Sequence, residues 1–133
     1  MAGLADAMVC GVVRAESYDR ARKFYNQVLG LEVAQEVPGA SGWGMFAAGK
    51  GTMLMVYENP QLSAPENTTL GFGVSAEKFD ALIAELRGNG VVLEDYDIPE
   101  MGLKTTDGIA EMDGQKTAWF KDSEGNILSV VVM

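Results

Sequence analysis

The order of predicted elements runs twice through these 133 residues, and this doubling limits the fold more than any other feature. Residues 8–14 form a short apolar run with β-branched side chains, which predicts a strand. Ser17 stands where a helix cap is needed, with Tyr18 as the first helical residue. Asp19 falls in the first turn, where a negative charge meets the positive end of the helix dipole. Ala21, Phe24 and Val28 follow at helical spacing, Tyr25 and Leu29 widen the stripe, and Gly30 supplies the stop. Three strands are predicted next, over residues 31–37, 42–47 and 52–57, punctuated by Pro38, Gly39, Gly49 and Gly51. The order is β-α-β-β-β.

Residues 58–67 carry Pro60 and Pro65 and read as a linker, after which the order begins again. Residues 68–74 predict a strand, Ser75 a cap, and Phe79, Leu82, Ile83 and Leu86 the apolar stripe of a second helix that Gly88 and Gly90 end. Strands follow over residues 91–96, 117–121 and 127–132. The last two are joined by the turn Asp122-Ser123-Glu124-Gly125-Asn126, in which glycine is free to take a positive φ. Ser17 and Ser75 lie 58 positions apart, so the repeat is about half the chain. Residues 97–116 have no counterpart in the first half, and residues 108–111 are the place for the strand that the second copy lacks. A connection this long is either a functional segment or a surface excursion. The fold class is α+β. One domain is expected, with module one over about residues 1–60, a linker over about 58–67 and module two over about 68–133.

Composition narrows the chemistry. The chain has no histidine and one cysteine, Cys10. That excludes a Ser-His-Asp triad, a Cys-His pair, a His-carboxylate metal triad and a thiolate-rich zinc site within one chain. One cysteine also excludes an intrachain disulfide and fits a reducing compartment. The net charge of −9 opposes binding to nucleic acid and to anionic membranes. It favours a cationic small ligand, or serves solubility alone. No apolar run approaches the roughly 20 residues that span a bilayer, and the first residues lack a basic-then-apolar leader. The expected location is the cytoplasm.

Ala21-Arg22-Lys23-Phe24-Tyr25 followed by Val28-Leu29-Gly30-Leu31 resembles the first-module signature of the vicinal-oxygen-chelate superfamily. Glyoxalase I, bleomycin-resistance proteins, ring-cleaving dioxygenases and methylmalonyl-CoA epimerases belong to it. Ala118-Trp119-Phe120-Lys121-Asp122 with Glu124-Gly125-Asn126 resembles its terminal hairpin. Tyr96-Asp97, Leu103-Lys104-Thr105 and Asp107-Gly108-Ile109-Ala110 are similar to a subgroup of short members. The resemblance implies two tandem βαβββ modules forming a curved, partly closed eight-stranded sheet around a cavity, and pairing into a homodimer. In catalytic members four strands each give one ligand to a divalent metal, typically His from the first strand of a module and Glu or Gln from the last. Those slots fall here on Cys10, on Leu54 or Met55, on Thr69 or Thr68, and on Ser129. None is a histidine or a carboxylate, so no metal and no cofactor is expected.

The cavity candidates are Cys10, Trp43, Leu54, Met55, Tyr57, Thr69, Met101, Lys104, Trp119 and Ser129. Trp43, Phe46, Tyr57, Trp119 and Phe120 lie on or beside strands, where the two-residue period lets only some of them face a cavity. Met45, Met53, Met55 and Met101 offer an adaptable apolar surface, and equally fill a core. Lys104, with Thr105 and Thr106, suits a polar or anionic group, while Asp95 and Glu100 suit a cation. No catalytic residue is assigned. The expected function is metal-free binding of a small, partly apolar organic molecule, for sequestration or sensing. The alternative is a lyase, isomerase or dioxygenase of the same superfamily with a displaced site, using Asp95, Glu100 or Asp107 as metal ligands or base.

Overall fold

The computed structural model describes residues 3–133. The chain divides into two compact units, one ending at Leu62 and one running Ser63–Met133. The first unit contains β1 (Gly11–Ala15), α1 (Tyr18–Lys23), β2 (Glu32–Val37), β3 (Trp43–Ala47) and β4 (Met53–Glu58). Its sheet has the order β1-β4-β3-β2, with β1 parallel to β4 and the other neighbours antiparallel. Alternation along the strands sends Val13, Ala15, Phe46, Leu54 and Val56 into the core, where they meet Tyr18, Ala21 and Tyr25 of the helical segment. Phe46 and Tyr25 make a tilted ring contact with centroids 5.8 Å apart.

Ser17 caps α1 as expected, its hydroxyl accepting from Arg20 N at 3.4 Å. The helix does not continue uniformly to Leu29, because Phe24–Val28 forms a wider π-helical turn. That turn lets Leu29 N reach Phe24 O, and Leu31 N reaches Tyr25 O as the chain leaves through Gly30 at φ +77°.

Two carboxylates fix α1 to the sheet. Glu36 of β2 accepts from the Tyr18 hydroxyl at 2.7 Å and from Arg22 Nε at 2.8 and 3.0 Å. Burial, then the bond to Glu36, pushes the Tyr18 phenol above its ordinary range, while Arg22 and then Tyr18 hold Glu36 below its own. Glu58 closes β4 instead of opening the linker. It accepts from Tyr18 N at 3.0 Å, at the start of α1, and from Ser41 N at 2.7 Å.

The second unit contains β5 (Thr68–Val74), α2 (Ala76–Gly88), β6 (Asp97–Ile98), β7 (Leu103–Thr106), β8 (Ile109–Met112), β9 (Gln115–Lys121) and β10 (Ile127–Val132). The order is β5-β10-β9-β8-β7-β6, with only β5 and β10 parallel. Phe79, Ile83 and Leu86 of α2 are buried, as are Ala118, Phe120, Leu128 and Val130 of β9 and β10. Ser75 occupies the cap position of α2, but its side chain makes no capping bond.

Two expectations are corrected here. Among the described residues the strands form one sheet of four and one of six, two modules as expected but ten strands where eight were expected. Residues 91–96 are not a strand: they contribute one bridge, Leu93 to Phe120, with Glu94 N donating to Trp119 O at 2.8 Å. The place beside β9 is divided between that bridge and β8, which starts one residue after the predicted position. The chain between them turns aside to form β6 and β7. Asp95 anchors the excursion, its Oδ1 accepting from the Thr105 hydroxyl at 2.9 Å and Gly108 N at 2.8 Å. Among the described residues no helix is long and apolar enough to cross a membrane.

Candidate functional site

Each sheet has one face toward its own helix and one face free of it. In the first unit, register sets out the free face in rows. Trp43 lies between Val37 and Tyr57, and Tyr57 lies beside Arg14. Met45 lies between Gln35 and Met55, and Met55 lies beside Val12. These side chains are half-buried or exposed, with Val12 54% exposed, whereas the intervening Leu54 is 3% exposed. Of the two residues proposed for the slot on β4, Met55 therefore lies on the free face. Leu54 belongs to the core and is removed from the cavity candidates. Arg14 reaches along the edge, its Nη1 donating to Leu62 O at 3.2 Å. Cys10 precedes β1 and is exposed.

In the second unit the free face carries Ser129 between Gly71 and Trp119, and Val131 between Gly73 and Thr117. Thr69, two residues before Gly71, shares that face. Tyr96 stands edge-on to Trp119 with ring centroids 5.5 Å apart. Burial, then the charge of Glu94, pushes the Tyr96 phenol up, so it stays a neutral hydroxyl at physiological pH. Lys121 pairs with Glu94 at 3.6 Å.

Two other candidates lie off these rows. Met101 is 70% exposed in a short 3-10 turn, and Lys104 is exposed on β7 opposite Asp97. Two carboxylates of the displaced-site alternative, Asp95 and Asp107, serve local structure. Asp95 holds the Thr105–Gly108 turn, and Asp107 lies 3.6 Å from Arg87, which also donates to its carbonyl at 2.6 Å. A shallow recess of about 250 Å³ is lined by Arg87, Val91, Leu93, Asp95 and Asp107, and none of the cavity candidates borders it.

The donor set does not fit a divalent metal. Of the positions where the resemblance expects ligands, those in the first unit offer a thiol and a thioether, from Cys10 and Met55, and those in the second offer two hydroxyls, from Thr69 and Ser129. Neutral oxygens without a carboxylate leave the ion's charge uncompensated, and a lone soft ligand does not replace one. Among the described residues no three His, Cys, Asp or Glu side chains are grouped to hold an ion. Val12, Val37, Gly71 and Tyr96 were not among the cavity candidates named from sequence. The period-two pattern Trp43-x-Met45-x-Ala47 against Met53-x-Met55-x-Tyr57 carried the signal for the first unit's face.

A βαβββ unit followed by a second, elaborated one, each backed by its own helix, defines an α+β protein of tandem-module type. The family model of the Glyoxalase/Bleomycin resistance protein/Dioxygenase superfamily matches residues 7–130, and the chain belongs to that superfamily. Solved structures with the same fold include a glyoxalase family protein from Enterococcus faecalis, 22% identical, with a TM-score of 0.69, over 97% of this chain and 99% of that one. A lactoylglutathione lyase from Agrobacterium tumefaciens is 18% identical, with a TM-score of 0.67, over 96% and 93%. FosX, a fosfomycin resistance protein from Listeria monocytogenes, is 11% identical, with a TM-score of 0.64, over 96% and 92%. No curated protein matches the chain.

Proposed function

We propose that this chain is a ligand-binding member of its superfamily that acts without a metal, holding a small, partly apolar organic molecule for sequestration or sensing. The observation that carries the reading is the adjacency of Trp43, Tyr57, Met45 and Met55 on a sheet face that α1 does not cover. Aromatic rings with a polar tip give orientation, and methionine adapts to irregular ligands. The net charge of −9 draws cationic molecules toward such a surface. A superfamily whose name includes bleomycin resistance proteins accommodates this role.

Tryptophan fluorescence tests it. Titration with a panel of cationic glycopeptide and polyaromatic antibiotics is expected to give saturable quenching. Trp43→Phe is expected to remove most of that signal, and Tyr57→Ala to weaken binding by about tenfold, as for an aromatic anchor. Elemental analysis after mild purification is expected to find well under one metal per chain. Silence across the panel would sink the antibiotic version. Stoichiometric zinc, nickel, manganese or iron would restore the lyase, isomerase or dioxygenase reading.

We also propose that the protein pairs with a second copy. Leu4, Met8 and Val9 are large apolar side chains left exposed just before β1, an edge strand that among the described residues pairs only with β4. Light scattering is expected to give twice the chain mass, and a monomer at tens of micromolar would contradict it.

A further inference from the structure

We infer that Ser129 is the polar anchor of the second unit's free face, where its hydroxyl donates to a neutral carbonyl on a flat aromatic ligand lying over Gly71 against Trp119. The inference rests on the binding reading above and adds to it a second face, with a ligand chemistry of its own. Ser129 is 8% exposed, yet among the described residues its hydroxyl has no hydrogen-bond partner. The hydroxyl itself reaches solvent, so it stands open to a ligand. Alternation separates it from the core. Leu128 and Val130 on either side are buried on the α2 face, and Ser129 points the other way, in register with Gly71 and Trp119.

Gly71 is the independent observation. It sits inside a strand, where glycine is unfavourable, and its φ is not positive, so the backbone does not require it. Space is the remaining reason. A Cβ at 71 would stand 3.0 Å from Ser129 Oγ, pressing on the hydroxyl. The neighbouring Gly73 is different, because the Met133 side chain already lies where its Cβ would be. Gly71 is exposed and leaves its place open. The result is a strip of bare backbone beside the Ser129 hydroxyl, walled by Trp119, which Tyr96 holds edge-on. Bare backbone and an indole suit a planar ring, and one donor suits one acceptor.

Equilibrium dialysis with two probes of matched shape tests this: 2-acetylnaphthalene, which carries a carbonyl, and 2-ethylnaphthalene, which does not. The wild-type protein is expected to prefer the ketone about fivefold beyond their difference in partitioning, the yield of one neutral hydrogen bond. Ser129→Ala should erase that preference while binding 2-ethylnaphthalene unchanged, and Ser129→Thr, which keeps the hydroxyl, should retain it. Gly71→Ala should weaken both probes together. A preference absent from the wild type, or kept in Ser129→Ala, overturns the assignment of Ser129 and leaves the binding reading standing. Failure of both probes to bind overturns it too, and the antibiotic titration then decides whether the broader reading falls with it.

Discussion

Gly44→Ala is expected to destabilise the protein by about 3 kcal/mol, the upper range for forcing atoms into a filled core. Gly44 is buried in β3, hydrogen-bonded between β2 and β4. A Cβ there would overlap the Tyr18 hydroxyl and stand 2.9 Å from Cζ and 3.1 Å from Cε1 of the same ring. The ring cannot turn away freely, because its hydroxyl donates to Glu36 and the residue is fully buried. Denaturant unfolding of Gly44→Ala, Tyr18→Phe and the double variant checks this. Tyr18→Phe alone loses one charge-assisted hydrogen bond, about 1.5–3 kcal/mol, while Glu36 keeps Arg22. In the Gly44→Ala background the same change also removes the overlapping oxygen, so the double variant should be more stable than the two single losses summed. A Gly44→Ala protein within about 0.5 kcal/mol of wild type would mean that the Tyr18 ring does not pack on β3 in this way. Gly44 lies between Trp43 and Met45 in sequence, so a displaced β3 also disturbs the free face.

The repeat was legible because local signals agreed with the fold. Ser17, the apolar stripes and the glycine stops are short-range features, and β1 to β4, α2, β9 and β10 fall within a few residues of where they predict. What sequence did not carry was set by partners distant along the chain. Residues 91–96 have the composition of a strand, yet β8 takes most of the place beside β9 and leaves them one bridge. Pro60 and Pro65 mark a linker, but Glu58 beside them belongs to the fold because Tyr18 N and Ser41 N need an acceptor. The π-helical turn at Phe24–Val28 has no local signature among the helical residues around it.

The two candidate faces were legible in part. Trp43, Tyr57, Trp119 and Ser129 could be named from their strands, and alternation alone could have separated Met55 from Leu54. Tyr96 could not be foreseen as a neighbour of Trp119, because that contact depends on how residues 95–108 turn aside after the Leu93 bridge. The value of Gly71 depends on register with β10, and a shift between Ile127 and Leu128 sets that register. A bulge of this kind follows from tertiary packing, not from any one residue.

Asp122→Ala is expected to cost about 4 kcal/mol, because one small side chain satisfies three donors at once. Asp122 Oδ1 accepts from Glu124 N at 2.8 Å and Asn126 N at 2.9 Å, and Oδ2 accepts from Asn126 Nδ2 at 2.8 Å. Both residues are buried, so water cannot replace the lost bonds without opening the turn. Asp122→Asn retains one acceptor oxygen for the two backbone donors but turns an amide toward the Asn126 amide, so an intermediate loss of about 2 kcal/mol is expected. The consequence reaches the candidate site. This turn sets the pairing of β9 with β10, and Trp119 stands directly opposite Ser129 in that pairing. A slip of one residue would send one of the two to the opposite face. Asp122→Ala should therefore lose the preference for 2-acetylnaphthalene even at temperatures where it remains folded, whereas Gly44→Ala, acting in the first unit, should retain it. Denaturant unfolding and the dialysis pair read the two effects separately. A loss of stability below about 1 kcal/mol, or a folded Asp122→Ala protein that still prefers the ketone, would show that this turn does not set the register of Trp119 and Ser129.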